Sequence, residues 1–335
     1  MTTPLPDTMA RLLADAAAAA PSLHNAQPWR FRHHRGSGVF EVHADFSRAV
    51  PEADPDQREL HLGCGAAVMN LRVAAAHHGL AAATRLLPDP TEPGLVAAVR
   101  LRAAGEEDGE GVVEQDLVPL FPAVHERHTS RYPFAEAPLP ERVRAALTGA
   151  AAREGVSLSF PSPWHLEWVL ELTEEAEART RADADREAEL ARWTRLGAAE
   201  ADTAADGVPE YAFGPRRRGG RAPVREFGED RRTADLGSVP FEEHPQLALL
   251  TTPEDRREDW LRAGQAVQRV LLLATREDVA ASFMTGVLEW SETRWPLRDP
   301  ASSEGFVQMV LRLGYGPRGP KTPRRPSGEV LDILP

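Results

Sequence analysis

The stretch Gly65-Ala66-Ala67-Val68-Met69-Asn70-Leu71-Arg72-Val73-Ala74-Ala75-Ala76 can be laid on Gly264-Gln265-Ala266-Val267-Gln268-Arg269-Val270-Leu271-Leu272-Leu273-Ala274-Thr275. Gly65 then meets Gly264, Ala67 meets Ala266, Val68 meets Val267 and Ala75 meets Ala274. At the same offset Ala81-Ala82 matches Ala280-Ala281. Read as an internal repeat, the pair divides the chain into two related halves. Two unrelated amphipathic, alanine-rich helices would give the same matches, and the stretch alone leaves both readings open. The early glycine in each copy is informative, because a residue without Cβ lets another backbone come close.

Outward from the first copy, a helix is expected from about Gln57 to His78. Leu60, Cys64, Ala67, Val68, Leu71 and Ala75 form its buried stripe, and Gly79 is a natural stop. Before it, Asp7 or Thr8 can cap a first helix with Met9, Leu12, Leu13 and Ala16 on its inner face, ended by Pro21. Trp29 to Arg32 and Val39 to Ala44 read as strands around the turn 35–38, with Phe40, Val42 and Ala44 on one face. Leu95 to Leu101 reads as a strand, and 103–111 as a Gly/Glu-rich surface loop near a boundary. We place the first half at 1–116 and the second at 117–335. In the second, helices are expected at 139–151, within 164–196 and at 255–277, and Met309 to Leu313 as a buried strand. The tail after Gly314 reads as an extended arm. The stretch 197–240 has little periodicity, and a connection of that length is often a lid.

Composition limits the function classes. The chain has 335 residues with 42% hydrophobic side chains, enough for a substantial core. With 39 Lys plus Arg against 51 Asp plus Glu, the net charge of −12 gives no global attraction to nucleic acid or to an anionic membrane. The single cysteine, Cys64, cannot form an intrachain disulfide and fits a reducing cytoplasm. The alanine-rich N-terminus carries Asp7 and Asp15 and reads as a polar-faced helix rather than a signal peptide. No apolar run is long enough to span a bilayer. His33-His34, His77-His78 and His125-x-x-His128 lack acidic or Cys partners at ligand spacing, so no metal site is expected.

Three clusters carry candidate chemistry. Pro21-Ser22-Leu23-His24-Asn25-Ala26-Gln27-Pro28-Trp29 lies between a helix and a strand, where polar groups can face a ligand, although spacing alone favours a capped turn with Trp29 in the core. Arg127-His128-Thr129-Ser130-Arg131 concentrates guanidiniums and hydroxyls suited to phosphate in an acidic protein; a solvated basic turn balancing Glu126 is the alternative. Gly314 to Pro326, with Arg318, Lys321, Arg324 and Arg325, is either a flexible basic tail or an arm that returns a cation to the same phosphate. No G-x-S-x-G, Cys–His pattern or P-loop occurs, so no side-chain nucleophile is indicated.

Together these clusters resemble the nitroreductase superfamily, in particular its latent, Acg-like actinobacterial branch. Pro21-Ser22…Asn25…Gln27-Pro28-Trp29 is similar to the family's P-S-x-x-N-x-Q-P-W motif, and Arg127 to Arg131 to its R-[RH]-[ST]-x-[RK] phosphate motif. Arg324-Arg325-Pro326 followed by Glu329-Val330 resembles its C-terminal ending. The resemblance implies an α+β, nitroreductase-like fold that binds FMN. An ordinary subunit carries the arginine motif first and P-S-x-x-N later, and two subunits share each flavin. Here the first half has only the second motif, and the second half only the first. The implied architecture is an intramolecular pseudodimer of two unequal halves with one complete flavin site.

By the same resemblance, Arg127, Thr129 and Arg324 would hold the phosphate, with Arg325 beside them. His128 would lie along the ribityl chain through its backbone, and Arg131 would approach the N1/O2 edge, where a cation stabilises reduced flavin. Pro21, Ser22 and Asn25, with Gln27 of the same motif, would border the ring, and Met284, Thr285 and Gly286 would present backbone N–H groups toward N5. The implied activity is hydride transfer from NAD(P)H through FMN to a small aromatic acceptor, nitroaromatic or quinone, with no catalytic side chain. The alternative is an FMN store that turns over little because 197–240 covers it. A monomer or a homodimer is compatible with either.

Overall fold

The computed structural model describes residues 5–103, 112–225, 227, 234–299 and 305–335. The loop expected at 103–111 and part of the expected lid fall outside them.

The first sheet holds β1 (Trp29–His34), β2 (Val39–Ala44), β3 (Leu80–Leu86) and β4 (Leu95–Ala103), in the order β1-β2-β4-β3 with every pair antiparallel. The second holds β5 (Ser157–Ser159), β10 (Gln246–Thr252), β11 (Ala280–Phe283) and β12 (Phe306–Gly314), in the order β5-β10-β12-β11, again antiparallel throughout. Two small ribbons pair β6 (Thr194–Arg195) with β7 (Val208–Pro209) and β8 (Arg216–Arg217) with β9 (Ser238–Val239). The last strand, β13 (Leu331–Leu334), joins the first sheet in parallel with β1, setting Leu331 beside Phe31.

The helices repeat this order. The helix α1 (Asp7–Ala18) precedes β1, and α2 (Arg58–His77) joins β2 to β3. In the second sheet, after the short α3 (Phe121–Glu126), α4 (Glu141–Ala152) precedes β5. Three helices, α5 (Pro163–Arg181), α6 (Ala184–Arg192) and α7 (Gly197–Thr203), follow β5, and α8 (Arg257–Arg276) joins β10 to β11. Short α9 (Ser291–Arg294) and α10 (Ser327–Val330) complete the set. Each sheet therefore reads helix, strand, strand, helix, strand, strand with the same pairing order. They differ in the first hairpin: residues 35–38 connect β1 to β2, whereas 160–245 connect β5 to β10.

The two glycines of the repeat explain how α2 and α8 pack. A Cβ on Gly65 would collide with the Leu261 carbonyl oxygen and lie 3.1 Å from the Gly264 Cα. A Cβ on Gly264 would collide with the Leu62 carbonyl oxygen. The helices meet backbone to backbone, and any side chain there would separate them. Their flanks cross over: Leu261 packs into the core of the first sheet and Leu62 into that of the second. Burial of these two contiguous apolar clusters is the main favourable term for the fold.

Three sequence expectations need correction. Leu12 is 52% exposed, while Ala10, Leu13, Ala14, Ala17 and Ala18 are buried. The inner face of α1 is thus mostly alanine, with Leu13 the one large side chain among its buried residues, and small side chains permit close helix packing. Asp7 does not cap α1; Pro6 stands at the cap, and the Asp7 carboxylate pairs with Arg35. The tail is an extended arm only to Pro326, after which α10 and β13 form. The stretch 197–240 is also more structured than its pattern suggests, holding α7, β7, a turn of helix at Glu210–Ala212, β8 and β9 among its described residues. Among the described residues no helix is long and apolar enough to cross a membrane.

Candidate functional site

Where α2 meets α8 the backbones leave room for a chamber rather than a side chain. Leu62, Gly63 and Ala66 of α2 and Gly264 and Val267 of α8 form part of its wall. It holds about 960 Å³ of atom-free space, part of which is open solvent. Pro21, Ser22, His24 and Asn25 line it from the segment between α1 and β1, Arg127, His128, Thr129 and Arg131 from the segment after α3, and Thr322 and Arg324 from the arm. Thr285 follows β11 and lines it as well.

The first segment is held in a strained shape. His24, Asn25 and Gln27 have φ of 49°, 56° and 52°, a left-handed conformation that L-residues rarely take. Side-chain bonds fix it. The Gln27 amide donates to Ser22 Oγ at 2.9 Å. Asn25 Nδ2 donates to the carbonyls of Gly207 and Pro323, both at 3.0 Å. Gln27 lies outside the chamber and acts as a clamp: its Nε2 donates to the Ala205 carbonyl at 2.9 Å, and its Oε1 accepts from the Arg325 amide at 2.8 Å.

The segment 127–131 is held by the second sheet and the arm. Thr129 bridges in parallel to Ala281, and the Ser130 amide donates to the Ala281 carbonyl at 2.9 Å. Ser130 Oγ donates to the Pro317 carbonyl at 2.7 Å. A Cβ on Gly319 would collide with the Thr129 carbonyl, so the arm lies directly on this backbone.

The charges fall into two groups. At one end, Arg127 is buried, Arg324 is half-buried and repels it, and the buried Nε of each has no hydrogen-bond partner among the described residues. Burial lowers Arg127 to about 9, with Arg324 adding repulsion, and burial lowers Arg324 to about 10. Arg324 Nη1 donates only to neutral oxygens, Asn25 Oδ1 at 2.9 Å and Thr322 Oγ1 at 2.7 Å. His128 is pushed to about 4 by burial and then by Arg127 and Arg324. At the other end, Arg225 donates to both oxygens of Glu289 at 2.5 and 3.1 Å and to Thr285 Oγ1 at 3.0 Å. Burial raises the Glu289 carboxyl, but Arg225 outweighs it and the net shift is downward. Burial pushes His24 down to about 3.

Not every expected residue faces the chamber. Met284 packs in the second core, Gly286 opens a turn of helix beyond the wall, and Arg325 turns toward Glu329 at 3.8 Å. Glu59, Val208, Arg225 and Phe227 do line it and were not expected. Glu59 carries no distinctive sequence signal. The other three come from 197–240, where an aromatic in a charge-rich stretch was the available hint. Phe227 stacks on Phe213 with centroids 5.2 Å apart and receives the Arg131 guanidinium 4.8 Å above its ring. Buried polar nitrogens with no acceptor are costly, so the free Nε atoms of Arg127 and Arg324 suit an anionic group such as a phosphate. Phe227, which lines the same chamber, offers an apolar face to a planar ring.

Fold and site thus define a class: two-sheet α+β proteins with an arginine-lined chamber at the meeting of two glycine-bearing helices. The model of the "Nitroreductase family" matches residues 124–315, more than half of the chain. A Mycobacterium tuberculosis protein named "Putative NAD(P)H nitroreductase Rv3131" is 31% identical over 99% of this chain and 94% of its own length. A second from that organism, "Putative NAD(P)H nitroreductase acg", is 29% identical over 98% of each. A solved nitroreductase with bound FMN from Bacteroides fragilis is 14% identical, with a TM-score of 0.35 over 62% of this chain and 92% of its own. This chain belongs to the nitroreductase family.

Proposed function

We propose that the protein is a cytoplasmic FMN-dependent oxidoreductase of nitroreductase type, passing electrons from NAD(P)H to nitroaromatic or quinone acceptors. The observation that carries this reading is the pair of guanidiniums at one end of the chamber, Arg127 and Arg324, whose buried Nε atoms have no partner among the described residues. They would hold the FMN phosphate with Thr129. Arg131 would stand near the flavin ring, and Pro21, Ser22 and Asn25 would border it. Bound FMN would supply the hydride chemistry; the chain would bind it, orient it and keep water from it.

The halves 1–116 and 117–335 are read as a pseudodimer within one chain. Identical strand order in the two sheets, the reciprocal glycine contact and the exchange of Leu62 and Leu261 between the cores all support this. On this reading the arm after Gly314 crosses back to the first half. The segment 197–240 is read as a lid, because Val208, Arg225 and Phe227 reach the chamber. That placement also favours a second reading, FMN storage with little turnover.

Purified protein should be yellow, with the absorbance bands of FMN. Anaerobic NADPH should bleach them, and a nitrofuran should restore them. Steady-state rates no higher than those of free FMN would leave only the storage reading, and a colourless protein that takes up no added FMN would end both.

A further inference from the structure

Most side chains that face the chamber cannot exchange a proton near neutrality. Arg127, Arg131, Arg225 and Arg324 stay protonated. His24 and His128 are held neutral by burial, at about 3 and about 4. Ser22, Thr129, Thr285 and Thr322 are hydroxyls and Asn25 is an amide. Among the described residues that line the chamber, Glu59, at the start of α2, is the remaining titratable group.

Its surroundings are specific. One carboxylate oxygen accepts from Arg58 Nη2, and the side chain is 5% exposed. Arg58 is fixed in turn by the Gln308 carbonyl. The other charges that reach Glu59 are Asp54 and Glu289, which disfavour its ionisation, and Arg225 and Arg294, which favour it. None is a phosphate-end arginine, so Glu59 belongs to the Arg225–Glu289 end of the chamber. Burial pushes its carboxyl up to about 7, opposed by Arg58 and assisted by Asp54 and Glu289. Such a group holds a proton for part of the time and can release it.

We propose that Glu59 is the proton donor for acceptors reduced in this chamber. The proposal rests on the oxidoreductase reading above. For a quinone the balance closes: a hydride from reduced flavin reaches one carbonyl oxygen, the Glu59 proton reaches the other, and the product is a hydroquinone. Glu59 is left as a carboxylate against Arg58 and recovers its proton from water.

The test follows the two half-reactions of FMN-loaded protein by anaerobic stopped flow, with NADPH as reductant and menadione as acceptor. Glu59→Gln keeps the shape and removes the proton. The ratio of the menadione rate to the NADPH rate should fall about 100-fold, the usual scale for a lost general acid. In wild type the menadione rate should drop as pH rises through about 7, and in Glu59→Gln that limb should vanish. Infrared difference spectra of wild type against Glu59→Gln should show a protonated-carboxyl band that titrates over the same range. An unchanged ratio with the pH limb retained, or no such band, overturns the proposal and leaves the flavin reading intact. Wild type that NADPH does not reduce overturns the flavin reading and this proposal with it. If Glu59→Gln does not fold, the wild-type profile decides, and a menadione rate flat across pH 7 overturns the assignment.

Discussion

The two ends of the chamber use arginine in opposite ways. At the Arg127–Arg324 end the guanidiniums repel each other, and neither has a carboxylate partner among the described residues. At the Arg225–Glu289 end the guanidinium is matched by a carboxylate only 1% exposed. A buried ion pair is internally complete, whereas buried unpaired cations require an anion from outside. The first end is shaped for a ligand, and the second holds the protein to itself.

Breaking the paired end should have the largest effect. Arg225→Ala leaves Glu289 buried with Arg186, at 3.6 Å, as its remaining ion-pair partner among the described residues. The expected loss is about 3–5 kcal/mol of unfolding free energy, measured by denaturant unfolding without FMN. Arg225→Met combined with Glu289→Gln should recover much of it, since neither charge then remains. A loss below about 1 kcal/mol in Arg225→Ala would mean that the two ends do not differ in kind.

Breaking the unpaired end should act on the ligand instead. Arg127→Ala or Arg324→Ala removes a charge-assisted contact of about 1.5–3 kcal/mol, roughly a 10- to 150-fold rise in the FMN dissociation constant. Without FMN, the same variants should be at least as stable as wild type, because each removes a charge that burial disfavours. Equilibrium dialysis and apoprotein unfolding report the two quantities separately. FMN retention equal to wild type in both variants would contradict the phosphate placement.

How legible these ends were in the sequence depended on what held them. The Arg127–Arg131 and Pro21–Trp29 segments were visible because several polar residues sit close together along the chain. The glycines of α2 and α8 were visible because matching residues around each one mark the spot where their backbones touch. The Arg225–Glu289 pair was not, since its members are separated in sequence and Arg225 lies in a stretch without periodicity. Glu59 was hidden differently: α2 is buried on nearly every side, so its polar residues occupy positions that a helical pattern assigns to solvent. Strand β13 was missed because Leu331–Leu334 is short and its pairing partner, β1, lies at the far end of the chain. The inner face of α1 was hard to read because alanines make up most of it while Leu12 points to solvent.

Each end also holds a histidine kept neutral, and these sharpen the comparison by a smaller amount. His24, at the paired end, has its value lowered by burial from 6.5 to about 3. The unfolded chain takes up a proton below about pH 6.5 and the folded chain does not. Stability is therefore full above pH 6.5 and falls as pH drops toward 3, by about 2 kcal/mol at pH 5 for this group. His24→Asn, a residue that accepts the left-handed φ of 49°, should flatten that slope in unfolding free energies measured between pH 7 and 5. His128, at the unpaired end, is lowered partly by burial and partly by Arg127, Arg324 and Lys321. A bound phosphate neutralises those cations but does nothing for His24. Saturating inorganic phosphate should thus reduce the part of the acid slope that His128→Asn removes and leave intact the part that His24→Asn removes. If phosphate abolished both parts, the two ends would be one electrostatic site, and the division of the chamber would fail.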